Sequence, residues 1–203
     1  VIPAVIFTIV SSTLTAYGFG RFKFFGRSVL FAILMSTLFL PQVVLNVPQY
    51  IMYNIFGWVG SKLYLPLIVP SMFATETYFV FMLIQFLRNI PKELEEAAKI
   101  DGCNEIQTLI KVIVPMLKPA LVSCALFKFM WASNDFLGPL LYVNNPAKYP
   151  ATIFVKLAMD SDAGFAWNRI LSTSLISILP SIIIFFIAQN QFVEGISAGG
   201  VKG

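Results

Sequence analysis

Five long apolar stretches, separated by shorter polar ones, organise this chain. They run over about Val1–Tyr17, Ser28–Val47, Tyr64–Phe86, Ala120–Tyr142 and Ile170–Phe192. A helix needs about 20 mostly apolar residues to cross the hydrocarbon of a bilayer. The pattern therefore predicts an all-α bundle of five spanning helices. Pro41, Pro70, Pro139 and Pro180 fall inside or near the ends of these stretches. In a bundle, neighbouring helices can satisfy the carbonyls that a proline frees, so kinks are expected rather than breaks. The first stretch opens directly at Val1 without a basic leader, and we expect the chain to lack an N-terminal segment.

The polar connection between the third and fourth stretches differs from the others. Ten of the 24 charged side chains lie between Arg88 and Lys118. Pro91 suits a first helical turn, and Glu93, Glu95 and Glu96 suit the positive end of a helix dipole. Leu94, Ala97, Ala98 and Asp101 recur at helical spacing and predict one small face. Gly102 is placed to stop this helix, and Asn104 to cap a second. Ile106, Leu109, Ile110 and Ile113 predict that helix's apolar stripe, and Pro115 and Pro119 its end. By itself this helix-Gly-helix could equally be an amphipathic loop lying against the bundle.

Composition narrows the class. Residues are 58% hydrophobic and 12% charged, against roughly 25% charged in soluble domains. Such a chain cannot cover a water-facing surface. Nine Lys and Arg fall on the side that holds the 88–118 segment and four on the other. The positive-inside rule then places that segment and the C-terminus in the cytoplasm. Histidine is absent and the two cysteines, Cys103 and Cys124, stand alone. No metal motif, disulfide framework or histidine-based catalytic constellation can be assembled. Neither a catalytic site, a channel filter nor a nucleic-acid surface is called for, and no cofactor is expected. "GWVGSK" (Gly57–Lys62) has the wrong spacing to cradle ATP phosphates.

Several motifs resemble the permeases of binding-protein-dependent ABC importers. Glu96-Ala97-Ala98, three residues, Gly102, nine residues and Val112-Ile113-Val114-Pro115 resemble the family's EAA signature, with Val112 and Val114 in place of Ile and Leu. "AYGFGRFKFFGR" (Ala16–Arg27) looks like the family's basic loop. "SNDFLGPLL" (Ser133–Leu141) is similar to the N-D-F-x-x-P-L element of the sugar-importing subset, with Gly138 where that subset usually has Trp. The tail "FVEGISAGGVKG" (Phe192–Gly203) resembles the terminal signature of the smaller permease subunit of maltose-type transporters.

The resemblance implies a type I importer bundle of the MetI-like kind. One permease domain would cover 1–203, carrying about five of six helices, with a cytoplasmic coupling loop over 88–118 and a cytoplasmic tail over 193–203. It implies a second permease subunit, two ATPase subunits and an external solute-binding protein as partners. Glu96, Ala97, Ala98, Gly102 and Pro115 would couple to the ATPase. Ser197, Gly199 and Gly200 would touch it from the tail, which is too glycine-rich to form a helix by itself. The implied cargo is a sugar, with glycerol phosphate, a polyamine or a peptide as alternatives.

Ionisable groups inside apolar stretches cost about 2.5–3.5 kcal/mol on insertion scales and call for a reason. Glu76 falls in the third stretch, and Lys128 and Asp135 in the fourth. If that stretch is one helix, Cys124, Lys128, Trp131 and Asp135 share a face. With Asn134 they form a candidate sugar path, in which Trp131 stacks and the polar groups meet hydroxyls. The competing reading is helix-helix glue, with Lys128 paired to Glu76 or Asp135. Gln42, Asn46 and Gln85 read as bundle interior. Tyr142, Tyr149 and Trp167 read as an outer aromatic belt.

Overall fold

The first helix, α1 (Ile2–Arg21), sets the logic of the bundle. Its buried positions are small or hydroxylated: Ala4, Thr8, Ser11, Ser12 and Ala16. Its exposed positions, Ile2, Ile6, Val10 and Leu14, are large and apolar. This inverts the pattern of a helix in water. Small residues let neighbouring backbones approach closely, while the large apolar face suits lipid. The Thr8, Ser11 and Thr13 hydroxyls bond locally or across the bundle, while the buried Ser12 hydroxyl has no hydrogen-bond partner. Thr13 donates to the Ile9 carbonyl, and Ser11 donates at 2.7 Å to the carbonyl of Ser71.

The computed structural model describes residues 1–61, 63–159 and 167–200, with side chains described up to residue 189 apart from Ala158. The described residues form helices and turns with no strand. After α1 come α2 (Arg27–Ser36), α3 (Gln42–Ile55), α4 (Leu65–Ile68), α5 (Thr77–Arg88), α6 (Glu93–Ile100), α7 (Glu105–Thr108) and α8 (Val114–Met116). The chain continues as α9 (Lys118–Asn134), α10 (Leu137–Tyr142), α11 (Ala151–Met159) and α12 (Trp167–Gly200). Helix α5 packs on α1, α9 packs on α1 and α12, and α11 packs on α12. The core lies where Phe79, Val80, Leu83 and Leu87 of α5 meet Ala16 and Tyr17 of α1 and Ala120 and Cys124 of α9.

Three of the five expected spans are not the single helices that hydropathy suggests. Ser28–Val47 divides at Pro41 into α2 and α3, the two segments meeting at 103°. Leu40 is extended there (φ −78°, ψ 118°), the conformation that a following proline favours. The third stretch is apolar enough on average over Leu65–Arg88 to span a membrane. Its α-helix is interrupted by a 3₁₀ turn over Val69–Phe73 and by Ala74, which is left-handed at φ 52°. The fourth stops at Asn134, because Asp135 is extended before α10 begins. The segments Glu105–Met116 and Lys118–Asn134 meet at 78°, next to Pro115 and Pro119. Among the described residues, three segments qualify by length and hydropathy to cross a membrane, or up to five if each bent pair is one span.

The tail also departs from expectation. Its backbone continues α12 as far as Gly200, through Ser197 and Gly199. Extending an existing helix avoids the unfavourable nucleation step that a separate glycine-rich helix would face. The side chains of these residues lie outside the described set.

Candidate functional site

Two regions collect the residues singled out in the sequence. The first is the loop between α5 and α9. Helix α6 ends in a Schellman motif at the glycine chosen for that role. Gly102 N–H donates to the Lys99 carbonyl and Cys103 N–H to the Ala98 carbonyl, with Gly102 at φ +84°. Helix α7 opens with a capping box. The Asn104 side chain accepts from Gln107 N–H at 2.9 Å, and the Gln107 side chain accepts from Asn104 N–H at 3.0 Å. A π turn over Leu109–Ile113 precedes Pro115. Pro115 has no N–H to contribute to a regular helical ladder.

The expected faces of this loop are redistributed. Ala98 is buried while Ala97, Glu96, Asp101, Gly102 and Pro115 are exposed, so the alanine pair does not form one face. The expected stripe also divides: Leu109 and Ile113 are buried, and Ile106 and Ile110 are exposed. Pro91 precedes the N-cap rather than entering the first turn. The outer surface of α6 carries Glu96, Ala97 and Ile100, the last 86% exposed.

The loop's inner side is tied to α1. Arg21 Nε lies 2.5 Å from Glu95 Oε1, with the two side chains only 7% and 10% exposed. Arg21 Nη2 also donates to the Ile90 carbonyl at 2.7 Å. The Tyr17 hydroxyl donates to Glu105 Oε2 at 3.5 Å, and Glu105 Oε1 pairs with Lys99 at 2.7 Å. Burial pushes the Glu95 carboxyl above the usual range, and Arg21 and Lys99 pull it partly back. The hydrogen bond to Glu105 raises the Lys99 ammonium. In the sequence Arg21 reads only as part of a basic loop, and Glu95 only as a dipole partner. No spacing links residues 74 positions apart.

The second region is a cavity of about 890 Å³ at the helix breaks. Glu76, Lys128, Trp131 and Asp135 all line it, whereas Asn134 does not. Asn134 is exposed and donates to the Met130 carbonyl one turn back on its own helix. Of the two partners available to Lys128, Glu76 is the one it meets. Thr8 of α1 donates to the other Glu76 oxygen at 3.4 Å. Trp131 is half exposed, with its ring 5.3 Å from Tyr78 and 5.1 Å from Phe79.

Asp135 does not continue the Lys128 face, because it has already left the helix. Its Oδ1 accepts from Gly138 N–H at 3.1 Å, and its carbonyl accepts from Thr152. A Cβ at Gly138 would collide with the Asp135 carboxylate and come within 3.0 Å of Leu67. This packing fits glycine at the position where the sugar-permease pattern has Trp.

Gln42 and Asn46, read as interior, line the same cavity, together with Gln49 and Tyr53. Tyr142 is buried between Tyr50 and Tyr53 rather than placed in an outer belt. A smaller hollow of about 420 Å³ on α3 is lined by apolar residues alone. No group of three or more metal-ligating side chains occurs among the described residues.

The family pattern of the binding-protein-dependent transport system inner membrane component matches residues 2–196. The chain belongs to that family of transport permeases. It is 31% identical over 196 residues to the trehalose/maltose transport system permease protein of Thermococcus litoralis, covering 97% of this chain and 70% of that protein. It is also 31% identical over 196 residues to the sulfoquinovosyl glycerol transport system permease protein of Agrobacterium fabrum, covering 97% and 68%. Its fold is similar to that of a bacterial ABC transporter involved in import of the acidic polysaccharide alginate. The TM-score is 0.73 at 22% identity, covering 93% of this chain and 71% of that one.

Proposed function

We propose that this chain is the membrane permease of an ATP-driven importer for a sugar, and that the loop over 88–118 is its coupling element. The carrying observation is the loop's construction. A Schellman stop and a capping box hold two short helices at a fixed angle, with Glu96, Ala97 and Ile100 turned outward. An exposed apolar residue on a charged, rigid loop suits docking against another protein. That protein would be a cytoplasmic ATPase, because the chain has no phosphate-cradling loop of its own. A second permease and an external binding protein would complete the transporter, with the loop and the C-terminus in the cytoplasm. Closure of an ATPase dimer would move the loop as a rigid body and switch the bundle between two openings.

The sugar assignment draws on the relatives' cargoes and on the cavity. Trp131 offers an aromatic ring, and Glu76, Asp135, Gln42 and Asn46 offer hydrogen-bonding groups around it. Asn134 is dropped from this path because it turns away from the cavity. Glycerol phosphate is a weaker cargo, since Lys128 is already paired with Glu76.

Gly102→Pro removes the φ +84° turn and one of its two hydrogen bonds. In proteoliposomes carrying the whole transporter, it should lower uptake of trehalose or maltose per ATP hydrolysed by about tenfold or more, a coupling energy of about 1.4 kcal/mol. Unchanged uptake per ATP would overturn the coupling role. Truncation after Glu194 tests the tail: loss of ATPase assembly is expected, and unchanged assembly would remove Ser197, Gly199 and Gly200 from the interface.

A further inference from the structure

Helix α1 has a property beyond packing: it touches both regions. Its last turn carries Tyr17 and Arg21, one helical turn apart on one face. Arg21 holds α6 through Glu95 and the end of α5 through the Ile90 carbonyl, and Tyr17 holds α7 through Glu105. Thirteen residues earlier, about 20 Å along the axis, Thr8 bonds to Glu76, which meets Lys128 in the cavity wall. Between them the helix is continuous, whereas the 65–88 segment is interrupted at Ala74 and α2 turns away from α3 at Pro41.

We infer that Arg21 is a positioning residue of the transport cycle: through it α1 takes up the movement of the coupling loop and carries it to the cavity wall. The guanidinium reaches two elements at once, forming an ion pair with Glu95 of α6 and a hydrogen bond to the Ile90 carbonyl ahead of it, which a single-point ammonium would not do. Stability alone is a weak reason for such a pair. Replacing a buried ion pair with apolar residues of similar volume is often neutral or stabilising. This inference rests on the coupling role of the 88–118 loop, but not on the identity of the cargo.

The test uses the assembled transporter in proteoliposomes. Ala132, in the cavity wall, is replaced by cysteine in a Cys103→Ser background. Its labelling by a membrane-impermeant maleimide is measured with and without ATP plus vanadate, alongside ATP hydrolysis. The parent should change its labelling with nucleotide. The apolar exchange Arg21→Met/Glu95→Leu should assemble and hydrolyse ATP, while its nucleotide-driven labelling change falls about fivefold or more. A full labelling change in that variant would overturn the inference, since a merely structural pair would be replaced without consequence. If that variant does not assemble, Arg21→Lys decides. It keeps the charge and loses the fork, and its labelling change should fall about twofold or more with hydrolysis intact. An unchanged response there also overturns the proposal. Gly102→Pro run in parallel separates the two claims. If it abolishes the labelling change and the Arg21 variants do not, only the role of Arg21 fails. If it leaves the change intact, the coupling role of the loop fails.

Discussion

Two ion pairs lie along α1, one at its last turn and one beside Thr8, and they are built differently. At the loop end Arg21 and Glu95 are 7% and 10% exposed, and Arg21 is further fixed to a backbone carbonyl. At the cavity end Lys128 is 9% exposed but Glu76 is 30% exposed, at a helix break beside a cavity of about 890 Å³. The first pair is closed off from solvent. The second borders an open cavity, with a compact ammonium in place of a guanidinium. The same chemical pairing is thus closed at one end and open at the other.

The largest expected effect on the fold comes from breaking the closed pair by one partner. Arg21→Met leaves the Glu95 carboxylate buried and unpaired, at a cost of about 3–5 kcal/mol. Lys128→Met should cost less, about 2 kcal/mol or below, because Glu76 is partly solvated. Chemical denaturation in detergent checks the order, and equal losses would erase the distinction between the two ends. The contrast also has a pH signature. Burial raises the folded-state pKa of Glu95, and removing Arg21 takes away a lowering influence. A raised carboxyl contributes stability below its unfolded pKa of about 4.3 and loses it as pH rises through the folded value. Arg21→Met should therefore approach the parent's stability at acid pH and fall furthest behind at alkaline pH. A gap that does not change with pH would contradict the assignment to Glu95.

Gly138→Ala is the next test, on the cavity side. It drives a Cβ into the Asp135 carboxylate and should cost about 1–3 kcal/mol, with Asp135 displaced from its bond to Gly138 N–H. A neutral result would mean that α10 can shift freely. Asn104→Ala, on the loop side, removes half of the capping box and should cost about 1 kcal/mol. Its effect should stay local, visible as faster amide exchange in α7 with the cavity unaffected.

What the sequence made legible follows from how local each signal is. The stop at Gly102 and the cap at Asn104 depend on residues within one turn, and both stand where expected. The five apolar stretches correspond to real segments of the bundle. Their integrity was not legible, because hydropathy is blind to the extended Leu40 ahead of Pro41 and to the left-handed Ala74. In the candidate path, Trp131, Lys128, Glu76 and Asp135 converge on one cavity. Asn134 follows its own helix backbone instead, a choice that depends on where the helix ends. The Arg21–Glu95 joint was out of reach because it joins residues from distant segments. Ala97 and Ala98 read as one small face, but neighbouring helix positions point about 100° apart, and here one turns outward and the other inward.

That last division gives the most direct test of the central claim, that the outer surface of α6 docks on the ATPase. Single cysteines at Ala97, Ile100 and Ala98 are placed in the Cys103→Ser background and treated with a short bifunctional thiol reagent in the assembled transporter. Cross-links to the ATPase subunit are expected from Ala97→Cys and Ile100→Cys, which are exposed, and not from Ala98→Cys, which is buried. Cross-linking from Ala98→Cys alone, or from none of the three in an intact complex that contains reactive ATPase cysteines, would contradict the account.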